Sequence, residues 1–81
     1  MKDQLEKFDS FLKEHGLKRI ENGFGGGKLI IVGIEGSNIN MRLALTYHDN
    51  VFIEEFNGSI EFIQLHKLLL EISEQIKKLQ L

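Results

Sequence analysis

Residues 38–48 read NINMRLALTYH, and this alternation constrains the fold more than any other stretch of the chain. In an extended segment Ile39, Met41, Leu43, Leu45 and Tyr47 fall on one side; Asn40, Arg42, Ala44, Thr46 and His48 fall on the other. A period of two does not fit a helix, so the segment is a strand with one face to bury. Just upstream, Gly36-Ser37 is a glycine-first two-residue turn of the hairpin type. It predicts that residues 28–35 run back along the strand. Ile34 then faces Ile39, Val32 faces Met41 and Ile30 faces Leu43, six apolar residues on one side. Just downstream, Asp49-Asn50 suits a turn because both residues tolerate positive φ. Residues 51–56 return from it in one of two registers. A two-residue loop puts Phe52, Glu54 and Phe56 on the core face. A three-residue loop puts Val51 and Ile53 there, and is preferred because it keeps the Glu54 carboxylate out of the core.

A sheet with one greasy face needs a second layer, and the chain supplies two amphipathic helices. The first is expected over residues 3–15, with Asp3 and Glu6 as a capping box and Leu5, Phe8, Phe11 and Leu12 as its stripe. Gly16 is placed for a left-handed stop, after which Leu17 can touch Leu12. The second is expected over residues 59–79, with Ser59 as N-cap, Glu61 near its positive end and Lys77-Lys78 near its negative end. Phe62, Leu65, Leu69, Ile72, Ile76 and Leu79 form a heptad-like seam, which can pack on the sheet or against a second copy. Ile63, Leu68 and Leu70 widen the stripe beyond that seam. With a further strand over residues 17–22, the chain reads as one α+β domain spanning residues 1–81. It is a two-layer α-β-β-β-β-α unit whose four strands form an antiparallel meander. If both helices share one face, the other carries Leu29, Ile31, Ala44, Phe52 and Phe56 among Asn40, Arg42, Thr46 and Glu54. Apolar groups with a polar rim mark an interaction site.

Half of the eight glycines sit in one stretch, "NGFGGGK" (residues 22–28). A phosphate loop needs converging backbone N–H groups at the start of a helix. Here the spacing matches neither nucleotide-binding glycine motif, and "KLIIVGIE" that follows is a strand. The stretch is therefore a connection between the first two strands. A glycine flap beside Phe24 and Lys28, closing on a ligand, is the functional alternative.

Other chemistry is sparse. With no cysteine there is no disulfide, thiolate nucleophile or Cys-based zinc site, which suits a cytoplasmic protein. A signal peptide and a membrane span are not expected: the start of the chain is charged and the longest apolar run is short. Net charge is −2 and the basic residues are scattered, which argues against nucleic acid. His15, His48 and His66 have no metal-site spacing. The His48-Asp49 pair reads as a turn rather than a catalytic dyad, and Glu54-Glu55 diverge as strand neighbours. No enzyme and no cofactor is expected.

The order of helix, strands and helix resembles that of the double-stranded-RNA-binding domain, in topology only. That family carries a basic cluster at the start of its last helix. The corresponding stretch here, "SIEFIQLHK", is acidic and apolar, so the family's function does not carry over and double-stranded nucleic acid ranks third among the candidate ligands. The expectation is a small non-catalytic binding or inhibitor protein that docks a protein partner and forms a homodimer. By analogy of size and class alone, this is the kind of domain found among phage accessory proteins. Its candidate binding residues are Arg42, Phe52, Phe56, Ile31, Thr46, Phe24, Lys28 and Arg19. The alternative is a protein that sequesters a small phosphate-bearing ligand, in a pocket at a dimer seam under the glycine loop, charged by Arg19, Lys28 and Arg42.

Overall fold

A computed structural model describes residues 2–46, 48 and 50–79. It shows α1 (Lys2–Glu14), β1 (Leu17–Gly25), β2 (Lys28–Gly36), β3 (Ile39–Leu45), β4 (Val51–Gly58) and α2 (Phe62–Leu79). The strands form one antiparallel sheet in the order β1-β2-β3-β4. This is the expected α-β-β-β-β-α meander. Both helices cover the same face: Phe8 and Leu12 of α1 and Ile72 and Ile76 of α2 are buried with Val32, Ile34, Met41 and Leu43 of the sheet. No helix among the described residues is long and apolar enough to cross a membrane.

The helix ends follow local chemistry, with two corrections. α1 stops at Gly16, whose φ of 71° is the left-handed value a C-terminal glycine supplies. It starts at Lys2, so Asp3 lies inside the first turn rather than capping it. α2 starts three residues later than expected. The Ser59 N–H donates to the Asn38 carbonyl at 2.8 Å, which ties that residue to the β2–β3 turn. The first intrahelical bond runs from the Leu65 N–H to the Glu61 carbonyl, making Glu61 the N-cap. Along α2 the expected seam is core: Ile72 and Ile76 are fully buried and Leu65, Leu69 and Leu79 pack beside them. Phe62 does not join it and is 79% exposed.

The hairpins differ from expectation in register. Ile34 pairs with Met41 and Val32 with Leu43, so the β2–β3 turn is Ser37-Asn38, one residue later than Gly36-Ser37. Each partner moves by two residues, so the same side chains still point inward and the core tolerates either pairing. Gly36 belongs to β2 opposite Leu17, where a Cβ would come 2.6 Å from the Leu17 side chain.

Three irregularities change the faces themselves. In β1–β2 the pairing jumps from Arg19↔Ile34 to Glu21↔Gly33, leaving Ile20 extra, and from Gly23↔Ile31 to Phe24↔Leu29, leaving Ile30 extra. In β3–β4 it jumps from Arg42↔Glu55 to Leu43↔Ile53, leaving Glu54 extra. A bulge of this kind inserts one residue and reverses the alternation beyond it. Leu29 therefore lies in the core at 1% exposed while its neighbour Ile30 is 40% exposed, the reverse of the expected placing. The two registers weighed for β4 are both partly realised. Val51 and Ile53 point to the core on one side of the bulge, and Phe56 on the other. Glu54 stays outside, as its charge requires. Tyr47 and Asp49 lie outside the described residues.

Candidate functional site

The face of the sheet away from the helices is uncovered, and its registers line up in rows. One row is polar: Lys18, Glu35, Asn40 and Asn57. The next is charged: Glu21, Gly33, Arg42 and Glu55. The third is small or apolar throughout: Gly23, Ile31, Ala44 and Phe52. Two bulges add isoleucines beside these rows. Ile20 stands against Gly33, where a Cβ would lie 3.2 Å from its Cγ1, and Ile30 stands against Gly25, at 3.0 Å from its Cδ1. Ile20, Ile30 and Phe52 are each about 40–50% exposed.

Arg42 is the centre of the charged row. Its guanidinium reaches Glu21 of β1 at 3.3 Å, and its Nε lies 3.7 Å from Glu54 of β4. To meet Glu21 it must pass over Gly33, the one residue of the row without a side chain. A Cβ at Gly33 would sit 2.8 Å from the Glu21 Cβ, so the glycine is required by the β1 bulge that presses Glu21 against it. The Nε of Arg42 is buried and makes no hydrogen bond, because Glu54 stands beyond hydrogen-bond range. One arginine is thus framed by Glu21, Glu54 and Glu55, and the row carries an excess of negative charge.

The apolar row runs on into a groove of about 440 Å³, lined by Gly25, Lys28, Leu29, Ile30, Ile31, Ala44, Leu45 and Thr46. The glycine stretch forms its end wall. Gly26 and Gly27 have φ of 62° and 81°, the positive values that a tight two-residue hairpin turn demands at both centres. β1 extends through Gly25 and is paired along its length, so Gly23 and Gly25 are ladder residues rather than parts of a flap.

Of the residues expected to bind, Arg42, Ile31 and Phe52 share the open face, and Lys28 and Thr46 line the groove. Thr46 has a local task as well: the N–H groups of His48 and Asn50 donate to its Oγ1 at 3.3 and 3.2 Å, closing the β3–β4 turn. Phe24 is paired with Leu29 and shares that residue's side of the sheet, at the edge. Phe56 pairs with Met41 and packs on the core. Arg19 is on the helix side, where Nε and Nη2 donate to the two oxygens of Asp9 at 2.8 and 3.0 Å. That hydrogen bonding holds the guanidinium proton above its ordinary affinity; partial burial works against it, and the charge of Asp9 adds to it. Arg19 therefore straps α1 to β1. A second strap joins the helices: the His15 ring faces the Phe11 carbonyl at 2.9 Å and Glu71 at 3.0 Å.

Arg19, Lys28 and Arg42 do not converge within the chain, since the first lies on the opposite side of the sheet from the third. Sequence reasoning missed Ile20, Ile30 and Glu21. The hint of the two isoleucines was apolar residues in excess of what strict alternation can bury; Glu21 gave none. Among the described residues no group of three or more His, Asp or Glu could hold a metal ion. No family model matches the chain, and no curated protein or solved structure matches it either.

Proposed function

We propose that this is a non-catalytic binding protein that docks a protein partner on the open face of its sheet. The observation that carries the proposal is the pair of adjacent rows on that face. A continuous apolar strip lies beside a charged row, on a surface that neither helix covers. Aromatic and arginine side chains set among apolar neighbours are what interfaces concentrate. The surplus of carboxylates around Arg42 favours a partner with an apolar knob flanked by a basic side chain, and opposes a phosphate backbone. Such a protein acts by occupying another protein's surface, as small inhibitors and accessory proteins do.

The test is affinity capture from the cells of origin with wild type, Phe52→Asp and Ile31→Asp side by side. The expected result is one partner retained by wild type and lost by both variants, while their circular dichroism matches wild type. Retention that ignores both substitutions would remove the open face from consideration. The groove supports a second reading, a small and mainly apolar ligand, since its volume falls in the range of small-molecule sites. A thermal-shift screen separates the two, because a ligand at a hundred times its Kd adds about 2.7 kcal/mol of stability.

A further inference from the structure

The outer side of α2 carries a second apolar stripe that the core does not use. Phe62, Ile63 and Leu70 are 79%, 67% and 54% exposed, more than any other large hydrophobic of the described residues. Ile63, His66, Leu70 and Lys77 follow one another at helical spacings of three, four and seven, so they form one ridge. His66 continues the apolar surface by stacking on Phe62, with ring centroids 6.4 Å apart. We propose that this ridge pairs with the same ridge of a second copy, the two α2 helices running antiparallel about a two-fold axis at Leu70.

Charge favours a second copy in that orientation. Lys67 lies one turn before Leu70 and Glu74 one turn after it, both toward the same flank of the ridge. A two-fold axis at Leu70 sets each Lys67 against the other copy's Glu74, and each Lys77 beside the other copy's Ile63 and Phe62. There the Lys77 stem covers the isoleucine and its ammonium faces an aromatic ring. A parallel pair would set Lys67 and Glu74 on the flank opposite to their counterparts, so the Lys67–Glu74 pairing would not form. The antiparallel pair also sets the helix dipoles head to tail.

Area supports the same occupant. Phe62, Ile63 and Leu70 expose on the order of 300 Å² of apolar surface. A standard interface takes about 800 Å² per partner, roughly 60% of it apolar. The ridge thus supplies more than half of the apolar area that a dimer of ordinary size needs. It lies on the helical layer, away from the open sheet face, so a dimer leaves both open faces free. Two tethered binding faces gain avidity wherever the partner is itself repeated.

The experiment is sedimentation equilibrium of the full chain over a wide concentration range, with circular dichroism of every variant. Wild type is expected to approach twice 9.3 kDa. Leu70→Glu is expected to remain at the monomer mass with its fold intact. Lys67→Glu and Glu74→Lys should each weaken the dimer about tenfold, the double variant should restore it, and mixing the two single variants should give a heterodimer. Ile63→Lys, at the other end of the ridge, is the second probe should Leu70→Glu fail to fold. Wild type that stays monomeric at millimolar concentration would overturn the proposal. So would a dimer that survives Leu70→Glu and Ile63→Lys, one indifferent to the charge exchange, or one lost with Phe52→Asp, which would put the contact on the sheet instead.

Discussion

The two faces of the sheet use similar side chains and end in opposite situations. On the helix side Leu29, Val32, Ile34, Met41 and Leu43 are sealed by Phe8, Leu12, Ile72 and Ile76. On the other side Ile20, Ile30, Ile31, Ala44 and Phe52 make a comparable apolar strip with no layer above it. Both helices lie on one face of the sheet, so the second face keeps whatever the alternation and the bulges leave there. Hydrophobicity alone does not separate the covered face from the open one. What separates them is the charged row, Glu21, Arg42 and Glu55, which runs through the open face and has no equivalent in the core.

The difference is sharpest at Leu29 and Ile30, adjacent residues of like size on opposite sides of β2. Leu29→Ala should cost about 3 kcal/mol in denaturant unfolding, because it leaves a cavity in a closed core. A loss under 1 kcal/mol would show that the bulge does not place Leu29 inside. Next comes Gly33→Val, expected to cost about 2 kcal/mol, because the new Cβ meets Glu21 and the β1 bulge must shift. Its companion effect is specific: the Arg42–Glu21 pair opens, so a following Glu21→Gln should cost almost nothing in the Gly33→Val background. An undiminished Glu21→Gln effect would mean the glycine is not what lets that pair form. The smallest effect is on the other side of the bulge. Ile30→Ala should cost about 1 kcal/mol, since part of that side chain is already in water. Equal losses at Leu29 and Ile30 would erase the contrast between the faces.

Much of this was legible in the residues. The clean alternation through β3 and the stripe of Leu5, Phe8, Phe11 and Leu12 gave the elements, their order and the shared core face. Gly16 gave the end of α1. The candidate site was legible only in part. Arg42, Ile31 and Phe52 follow from alternation, because no bulge separates Ile31 from Ala44 or Ala44 from Phe52. Phe56 and Leu29 were misplaced because each lies just across a bulge, where one inserted residue inverts the parity. Arg19 was misassigned for another reason: a cation on a strand edge reads the same whether it faces solvent or an aspartate on a helix. Only the docking of α1 brings Asp9 to it.

The chain by itself determined the secondary elements, the meander and which segments must be buried, because periodicity and turn chemistry act over a few neighbouring residues. Tertiary structure decided where the alternation breaks. A bulge balances one lost ladder pairing against the burial of everything beyond it, and that balance depends on what the helices offer from above. Leu29 goes inward and Ile30 outward because the β1–β2 bulge falls between Ile31 and Leu29, and the inward leucine joins the core that α1 and α2 close. The same packing left one sheet face and one ridge of α2 uncovered, and those two surfaces are where a partner and a second copy are to be sought.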